Sequence, residues 1–190
     1  MEIILAIAIS FIIILLIGKL GALSSFINLV IDQTIKVRQS SDYVFQTLVT
    51  DIRSMGPSSL GAYPVESVSS TSIIFYSDID RDNLMERVNY FIATSTLNKG
   101  VIKPTGNPLV YVTSSEIVIS VVSNIDVNGS YFEYFDQSFT GGQSPLSPPV
   151  NPQTIRVIKI NIAVRTSTST SSSLIRFSRI ITPRNLKTNY

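Results

Sequence analysis

The feature that most constrains this chain is an uncharged apolar run near its start, the 16 residues from Ile3 to Gly18. Crossing the ~30 Å hydrocarbon layer of a bilayer takes about 20 apolar residues, so this run alone is slightly short. Beyond Lys19 the apolar residues continue on one helical face, with polar residues between them. That stripe comprises Leu20, Leu23, Ile27, Val30, Ile31, Ile35, Val44, Phe45, Leu48, Val49, Ile52 and Met55. The pattern predicts one helix from residue 2 to about 55, apolar in its first third and amphipathic beyond it.

The charges that flank the apolar run are unusual for a signal peptide. A signal sequence carries basic residues before its apolar core and a small-residue cleavage site after it. Here Glu2 precedes the core, Lys19 follows it, and no A-x-A pattern comes next. We therefore expect either that the helix inserts in the opposite direction or that a basic leader precedes Met1.

Residues Met1–Ile9, M-E-I-I-L-A-I-A-I, resemble the I-E-L-L-V-A-I-A-I start of type IV pilins and type II secretion pseudopilins. The resemblance implies that a leader and the first three mature residues precede Met1. It also implies a structural subunit with a prepilin-type methylation segment, which assembles into a type IV pilus or a secretion pseudopilus. Other subunits, an inner-membrane assembly platform, membrane lipid and, where a leader exists, prepilin peptidase would be its partners.

The same resemblance predicts where the protein resides. It implies a single-pass protein of the cytoplasmic membrane, with its C-terminal domain outside the cytoplasm, that later enters a surface or periplasmic filament. The alternative is a single-span, membrane-anchored surface domain that binds a ligand or an adhesion target without polymerising. A net charge of +2 and the lack of a Lys- or Arg-rich run argue against nucleic acid as a partner.

Three residues of the apolar segment have a predicted role. By the resemblance, Glu2 pairs with the N-terminal amine of a neighbouring subunit during assembly; the simpler interpretation places it in the headgroup region. Gly18 and Gly21 lie near the position of a helix-bending Pro in many pilins, and Gly weakens a helix interior by about 1 kcal/mol. A bend and close helix packing through small residues are equally favoured there.

The composition excludes several kinds of site. The chain has no Cys and no His, so it has no disulfide, no thiolate or imidazole metal site and no Ser-His-Asp triad. Asp126, Glu133 and Asp136 are close in sequence, but acid–base catalysis by them is disfavoured because an aromatic-bearing strand flanked by loops favours surface positions for them. We expect no enzyme activity and no catalytic residues.

The chain changes character at Gly56-Pro57, where a Gly stop and a following Pro end the helix. Alternation then predicts seven strands: Ser72–Tyr76, Glu86–Ile92, Leu109–Val112, Glu116–Val122, Tyr131–Phe135, Ile155–Val164 and Leu174–Ile181. The predicted domains are a transmembrane segment (1–20), its amphipathic continuation (21–56) and a β-rich head (57–190). The predicted fold class is α+β and pilin-like, with the long helix packed on an antiparallel β-sheet.

Three further segments resemble minor pilins of the W type and J-type minor pseudopilins. Phe75–Tyr90 is similar to their F-Y-x-D-x-D-G-D-G-x-x-E-x-V-x-Y strand–turn–strand, with Arg81 and Asn83 in place of the two Gly residues. Asp51-Ile52-Arg53 matches their D-[IL]-R near the helix end, and Arg184-Asn185-Leu186 matches their closing R-N-L.

The acidic residues Asp78, Asp80 and Asp82 raise the question of a calcium site. An EF-hand loop needs Gly at position six and Glu at position twelve, but the chain has Asn83 and Asn89 there. A non-EF calcium site made by the three Asp residues stays open, and calcium is the one cofactor considered. A solvated hairpin turn is favoured over it, because Asp and Asn tolerate the backbone angles of turns.

Overall fold

The computed structural model describes residues 2–167 and 172–186, apart from some side chains between residues 2 and 41 and at 167, 172 and 173. The chain divides into two compact units, Met1–Ser40 and Ser41–Tyr190. Helix α1 (Glu2–Arg53) begins in the first unit and ends in the second. The strands follow it: β1 (Val65–Val68), β2 (Ser72–Ser77), β3 (Glu86–Ala93), β4 (Thr96–Ile102), β5 (Ile117–Ser123), β6 (Tyr131–Phe135), β7 (Val157–Ser167) and β8 (Ser172–Ile181).

Strands β1 to β5 form one antiparallel sheet in chain order, a meander in which each strand pairs with the next. Strands β3 and β4 are joined by a tight hairpin turn whose two central residues, Thr94 and Ser95, have φ of 49° and 59°. Two positive φ values in a two-residue loop match the right-handed twist of the flanking strands. The turn thereby determines which residues of β3 and β4 lie opposite each other.

Strands β6, β7 and β8 form a second antiparallel sheet, and backbone contacts join it to the first. Ile125, just after β5, makes an isolated bridge to Val164 of β7. The Phe132 N–H donates to Ser70 O at 2.8 Å. The Tyr134 hydroxyl lies 2.9 Å from both Ser69 O and Ser72 O. These bonds satisfy buried polar groups where the two sheets meet.

The predicted fold class, a pilin-like α+β arrangement of a long helix on one sheet, is wrong. The described part of the chain is mainly antiparallel β-structure, with eight strands in two sheets. After β5 the chain turns through Asn124, at φ 59°, and a short 3₁₀ turn (Val127–Gly129), so β6 pairs with β7 rather than with β5. Among the described helix side chains, burial against the sheets begins only at Val44 and Phe45.

The predicted single-pass location in the cytoplasmic membrane is also contradicted. Among the residues that the structure describes, no helix is both long enough and apolar enough to cross a bilayer. The physical reason is the length of the uncharged run, since 16 residues at ~1.5 Å rise cover about 24 Å of the ~30 Å required. Polar residues follow from Lys19 onward.

The strand predictions succeeded where hydrophobic alternation was strong. Six predicted strands correspond to β2, β3, β5, β6, β7 and β8, and Tyr131–Phe135 has the predicted bounds. The predicted strand Leu109–Val112 is wrong, because Val110 makes only an isolated bridge to Thr105. Strands β1 and β4 were missed. The first has four residues, and the second, T-L-N-K-G-V-I, carries Asn, Lys and Gly among its apolar residues.

A buried charged cluster attaches the end of α1 to the first sheet. Asp51 in the last turn of α1 is buried, and its Oδ2 lies 2.6 Å from Nζ of Lys99 on β4. The Tyr90 hydroxyl on β3 donates to the same oxygen at 2.7 Å. Burial, together with the Asp51 carboxylate, raises the pKa of Tyr90, so this hydroxyl keeps its proton and remains a donor. Phe45, Leu48 and Ile52 in the same part of α1 are buried apolar side chains.

A second charged cluster attaches β1 to the sheet. Arg87 on β3 binds both carboxylate oxygens of Glu66, Nε to Oε2 at 2.7 Å and Nη2 to Oε1 at 2.8 Å. The Tyr76 hydroxyl donates to Oε2 at 2.7 Å. The hydrogen bonds from Arg87 lower the pKa of Glu66 most strongly, and the Tyr76 hydroxyl lowers it further, against the opposing effect of burial. Bidentate pairing of this kind fixes side-chain orientation as well as adding energy.

We predict that Lys99→Met lowers the free energy of unfolding by about 3–5 kcal/mol, because it leaves the Asp51 carboxylate buried without its counter-charge. Adding Asp51→Leu should restore most of that loss, since replacing a buried ion pair with apolar side chains is close to neutral. Urea unfolding of the two single variants and the double variant measures this cycle. If the double variant lost as much free energy of unfolding as the two single variants together, the pairing would be contradicted.

We predict that Glu66 contributes stability at neutral pH that disappears in acid. Its pKa in the folded protein lies below the ordinary value of 4.5, so its contribution is present above pH 4.5 and is lost as the pH falls through the folded-state pKa. The Glu66→Gln variant should therefore be less stable than the parent at pH 7, and the difference should shrink below pH 4.5. Thermal unfolding of both proteins between pH 3 and pH 7 measures it; a constant difference would contradict the prediction.

Candidate functional site at the acidic turn

The connection between β2 and β3, residues 78–85, is held in shape by its own Asp side chains. The two carboxylate oxygens of Asp78 accept the backbone N–H groups of Asp82 at 3.2 Å and Asn83 at 3.1 Å. Asp82 Oδ1 accepts the N–H of Leu84 at 2.9 Å. The bond from Leu84 to Asp82, two residues before it, is an Asx turn, which is a local preference of Asp in connections. Arg81 and Asn83 have φ of 65° and 69°, the region that favours Gly.

The turn and the start of β3 place three carboxylates together. Asp78, Asp80 and Glu86 each offer one oxygen, and these oxygens all lie within 4.8 Å of one another. Asp80 is exposed, Asp78 is half-buried and Glu86 has no exposed surface. Glu86 joins the cluster because it pairs with Ser77 at the end of the β2–β3 ladder, directly beside the turn.

Glu86 is the unusual member of the cluster. Its Oε2 accepts the backbone N–H of Ile79 at 2.9 Å, whereas its buried Oε1 has no hydrogen-bond partner among the residues that the structure describes. Burial raises the pKa of Glu86 most strongly, and the nearby Asp80 and Asp82 carboxylates raise it further. An acidic group that is both buried and surrounded by like charge is destabilised in its ionised form.

Lys103, just after β4, neutralises the exposed side of the turn. Its ammonium group forms an ion pair with Asp80 and lies 3.2 Å from Asp82 Oδ2. The hydrogen bond that Lys103 donates to Asp80 raises the pKa of Lys103 most strongly, and the one it donates to Asp82 raises it further. The N–H of Leu84 lowers the pKa of Asp82 most, followed by Lys103. Because Lys103 is half-exposed, this pair is readily screened by salt.

The structure changes the membership of the predicted acidic cluster. It brings Asp78 and Asp80 together as the sequence pattern suggested, but it places Glu86 rather than Asp82 with them. The Asp82 carboxylate is instead used by Leu84 and Lys103. The sequence did contain a sign of Glu86, because this residue is the Glu of the F-Y-x-D-x-D-G-D-G-x-x-E pattern. The pairing of Glu86 with Ser77 then brings it beside the turn.

The remaining candidate residues lie elsewhere. The side chain of Glu2 is outside the described residues. Helix α1 continues through Gly18 and Gly21, and within the described residues a Cβ at either position would meet nothing within 4 Å. The bend and the close packing both stay predictions.

The three carboxylates considered for catalysis each have a separate partner. Asp126 pairs with Arg165 at 2.9 Å and Glu133 with Lys159 at 2.8 Å. Asp136 accepts the Ser138 hydroxyl at 2.6 Å and its backbone N–H at 2.9 Å. All of these contacts are of the kind that stabilise strands and turns.

We predict that Glu86→Gln makes the protein more stable in metal-free buffer at neutral pH. A Gln carbonyl can still accept the Ile79 N–H, while the variant no longer carries a buried charge beside two other carboxylates. The melting temperature should rise by about 2–4 °C, which corresponds to about 1 kcal/mol in a protein of this size. Calorimetric melting in the presence of a chelator measures the change, and a lower melting temperature would contradict it.

No protein-family model and no curated protein matches this chain. The similarity to pilins and pseudopilins therefore depends on the residues quoted above, and the function that it implies is a proposal.

Proposed function

We propose that this protein is a structural subunit of the pilin or pseudopilin kind, which assembles with further subunits through the apolar part of α1. The observation that carries the proposal is the exposed apolar surface of that helix. The seven consecutive residues Phe11–Ile17 are all apolar, and each has 49–65% of its surface exposed. Isolated proteins rarely leave apolar patches of this extent uncovered.

The distribution of this surface around the helix favours several neighbours over one. Successive residues of an α-helix are about 100° apart, so seven consecutive apolar residues point in every direction around the axis. A helix that is apolar all round is normally surrounded on all sides. Docking on a single partner would need only one apolar stripe, whereas packing among the helices of several subunits uses the whole circumference.

The three later segments that carry the resemblance, all within Ser41–Tyr190, have residues in contact or close together, which supports treating these three as one pattern. Asp51 of the D-I-R segment is bound by Lys99 and Tyr90 at the end of α1. Asn185 of the R-N-L segment donates to Met55 O at 2.9 Å. A Cβ built on Gly56 would lie 3.0 Å from Met85, which follows the acidic turn, and 3.2 Å from Asn185.

Assembly through α1 is the whole of the proposed role. Methylation of the N-terminus, an assembly platform, contact with lipid and a prepilin peptidase stay predictions from the resemblance. A pilus and a secretion pseudopilus are equally compatible with it. The role is structural rather than enzymatic.

The test uses single polar substitutions on opposite faces of α1. Ile12 and Ile14 are two residues apart, about 200° around the helix, and both are exposed. The full chain should form assemblies that grow with protein concentration when detergent is removed, as measured by sedimentation velocity and negative-stain electron microscopy. Ile12→Asn and Ile14→Asn should each shift the distribution to smaller species, because each places an amide among apolar side chains.

The matched control is Leu60→Asn, which changes a similarly exposed apolar residue between α1 and β1. It should assemble like the parent. A monomer or closed dimer at all concentrations would instead support a domain that binds a ligand or adhesion target without polymerising. Loss of assembly in only one of the two helix variants would indicate one docking face and would contradict packing on all sides.

A further inference from the structure

A second site, independent of assembly, is suggested by the cluster of Asp78, Asp80 and Glu86. Two oxygen ligands on opposite sides of a calcium ion, each about 2.4 Å from it, are about 4.8 Å apart. The three carboxylate oxygens lie within that same distance of one another. Their spacing is therefore already compatible with a common calcium ion, before any movement of the turn.

The buried oxygen of Glu86 is the observation that distinguishes this cluster from an ordinary acidic turn. Glu86 has no exposed surface, and its Oε1 has no hydrogen-bond partner within the described residues. Buried polar atoms nearly always have a partner, and a charged group without one is costly. A cation between Glu86 and the two Asp residues would supply that partner and would cancel the repulsion among the three carboxylates.

The rest of the turn leaves these carboxylates able to coordinate a cation. Asp78 accepts its two backbone N–H groups with one lone pair on each oxygen, so further lone pairs remain. Asp80 pairs with the half-exposed Lys103, whose flexible side chain can move into solvent. Carboxylate oxygens are the ligands that calcium prefers.

We propose that Asp78, Asp80 and Glu86 bind one calcium ion and that Lys103 occupies the exposed side of the same site as a competing cation. Lys103 thus neutralises the turn when calcium is scarce and is displaced when calcium binds. Asp82 keeps its hydrogen bond with the N–H of Leu84 and is not a ligand. The site joins the end of β2 to the start of β3, so calcium should stabilise the fold.

Titration calorimetry of the full chain with calcium chloride, and separately with magnesium chloride, tests the site. Calcium should bind with a 1:1 stoichiometry and raise the melting temperature, and it should bind more tightly than magnesium, which demands a more regular octahedral arrangement. Glu86→Gln should weaken calcium binding at least about tenfold, because it removes a charged ligand. Lys103→Met should strengthen it by about fivefold, because it removes the competing cation.

Two further variants complete the test. Asp136→Asn changes a half-buried acid in another turn and should bind calcium like the parent. Asp80→Asn gives a second ligand variant should Glu86→Gln fail to fold. If millimolar calcium gave no heat in the titration and did not raise the melting temperature, the proposed site would be wrong. Equal binding by the parent and the folded ligand variants, or weaker binding by Lys103→Met, would overturn the assigned ligands or the competition.

Discussion

The attachment of the end of α1 to the first sheet depends on one buried carboxylate. Asp51 lies in the last turn of the helix, where the helix dipole disfavours a negative charge, and it is removed from water. Lys99 and Tyr90 compensate for both effects by binding the same oxygen from two adjacent strands. Because an uncompensated charge would be costly, the cluster fixes the end of α1 against β3 and β4 at the point where Tyr90 and Lys99 lie opposite each other.

The acidic turn uses charge in the opposite way. Around Asp51 the charges are balanced and buried, but around Glu86 three carboxylates lie beside the half-exposed ammonium group of Lys103. A buried group whose charges cancel stabilises one packing arrangement. A buried carboxylate with an excess of negative charge around it favours the binding of a cation. The two clusters lie at different places on the same sheet, and this difference in charge balance separates a structural role from a candidate binding role.

Local signals in the sequence explain most of what was predicted correctly. Strong alternation identified β7, and the Gly56-Pro57 pair placed the end of α1 within a few residues of Arg53. The same method missed β4, because Lys99 and Gly100 interrupt its apolar pattern. The burial of Lys99 depends on its ion pair with Asp51, which lies 48 residues away in the sequence. Propensity rules evaluate each segment separately and therefore assign a buried Lys to the surface.

By itself, the sequence determined the helical apolar segment, the lack of Cys and His chemistry, most strands and the positions of Asp78 and Asp80. These features depend on composition and on short-range periodicity, which are readable along the chain. Only the tertiary structure decided that the strands divide into two sheets, that burial of the described helix side chains begins near Phe45 and that Glu86 replaces Asp82 in the acidic cluster. Each of these results depends on strand pairing and burial between distant residues, and local preference does not encode them.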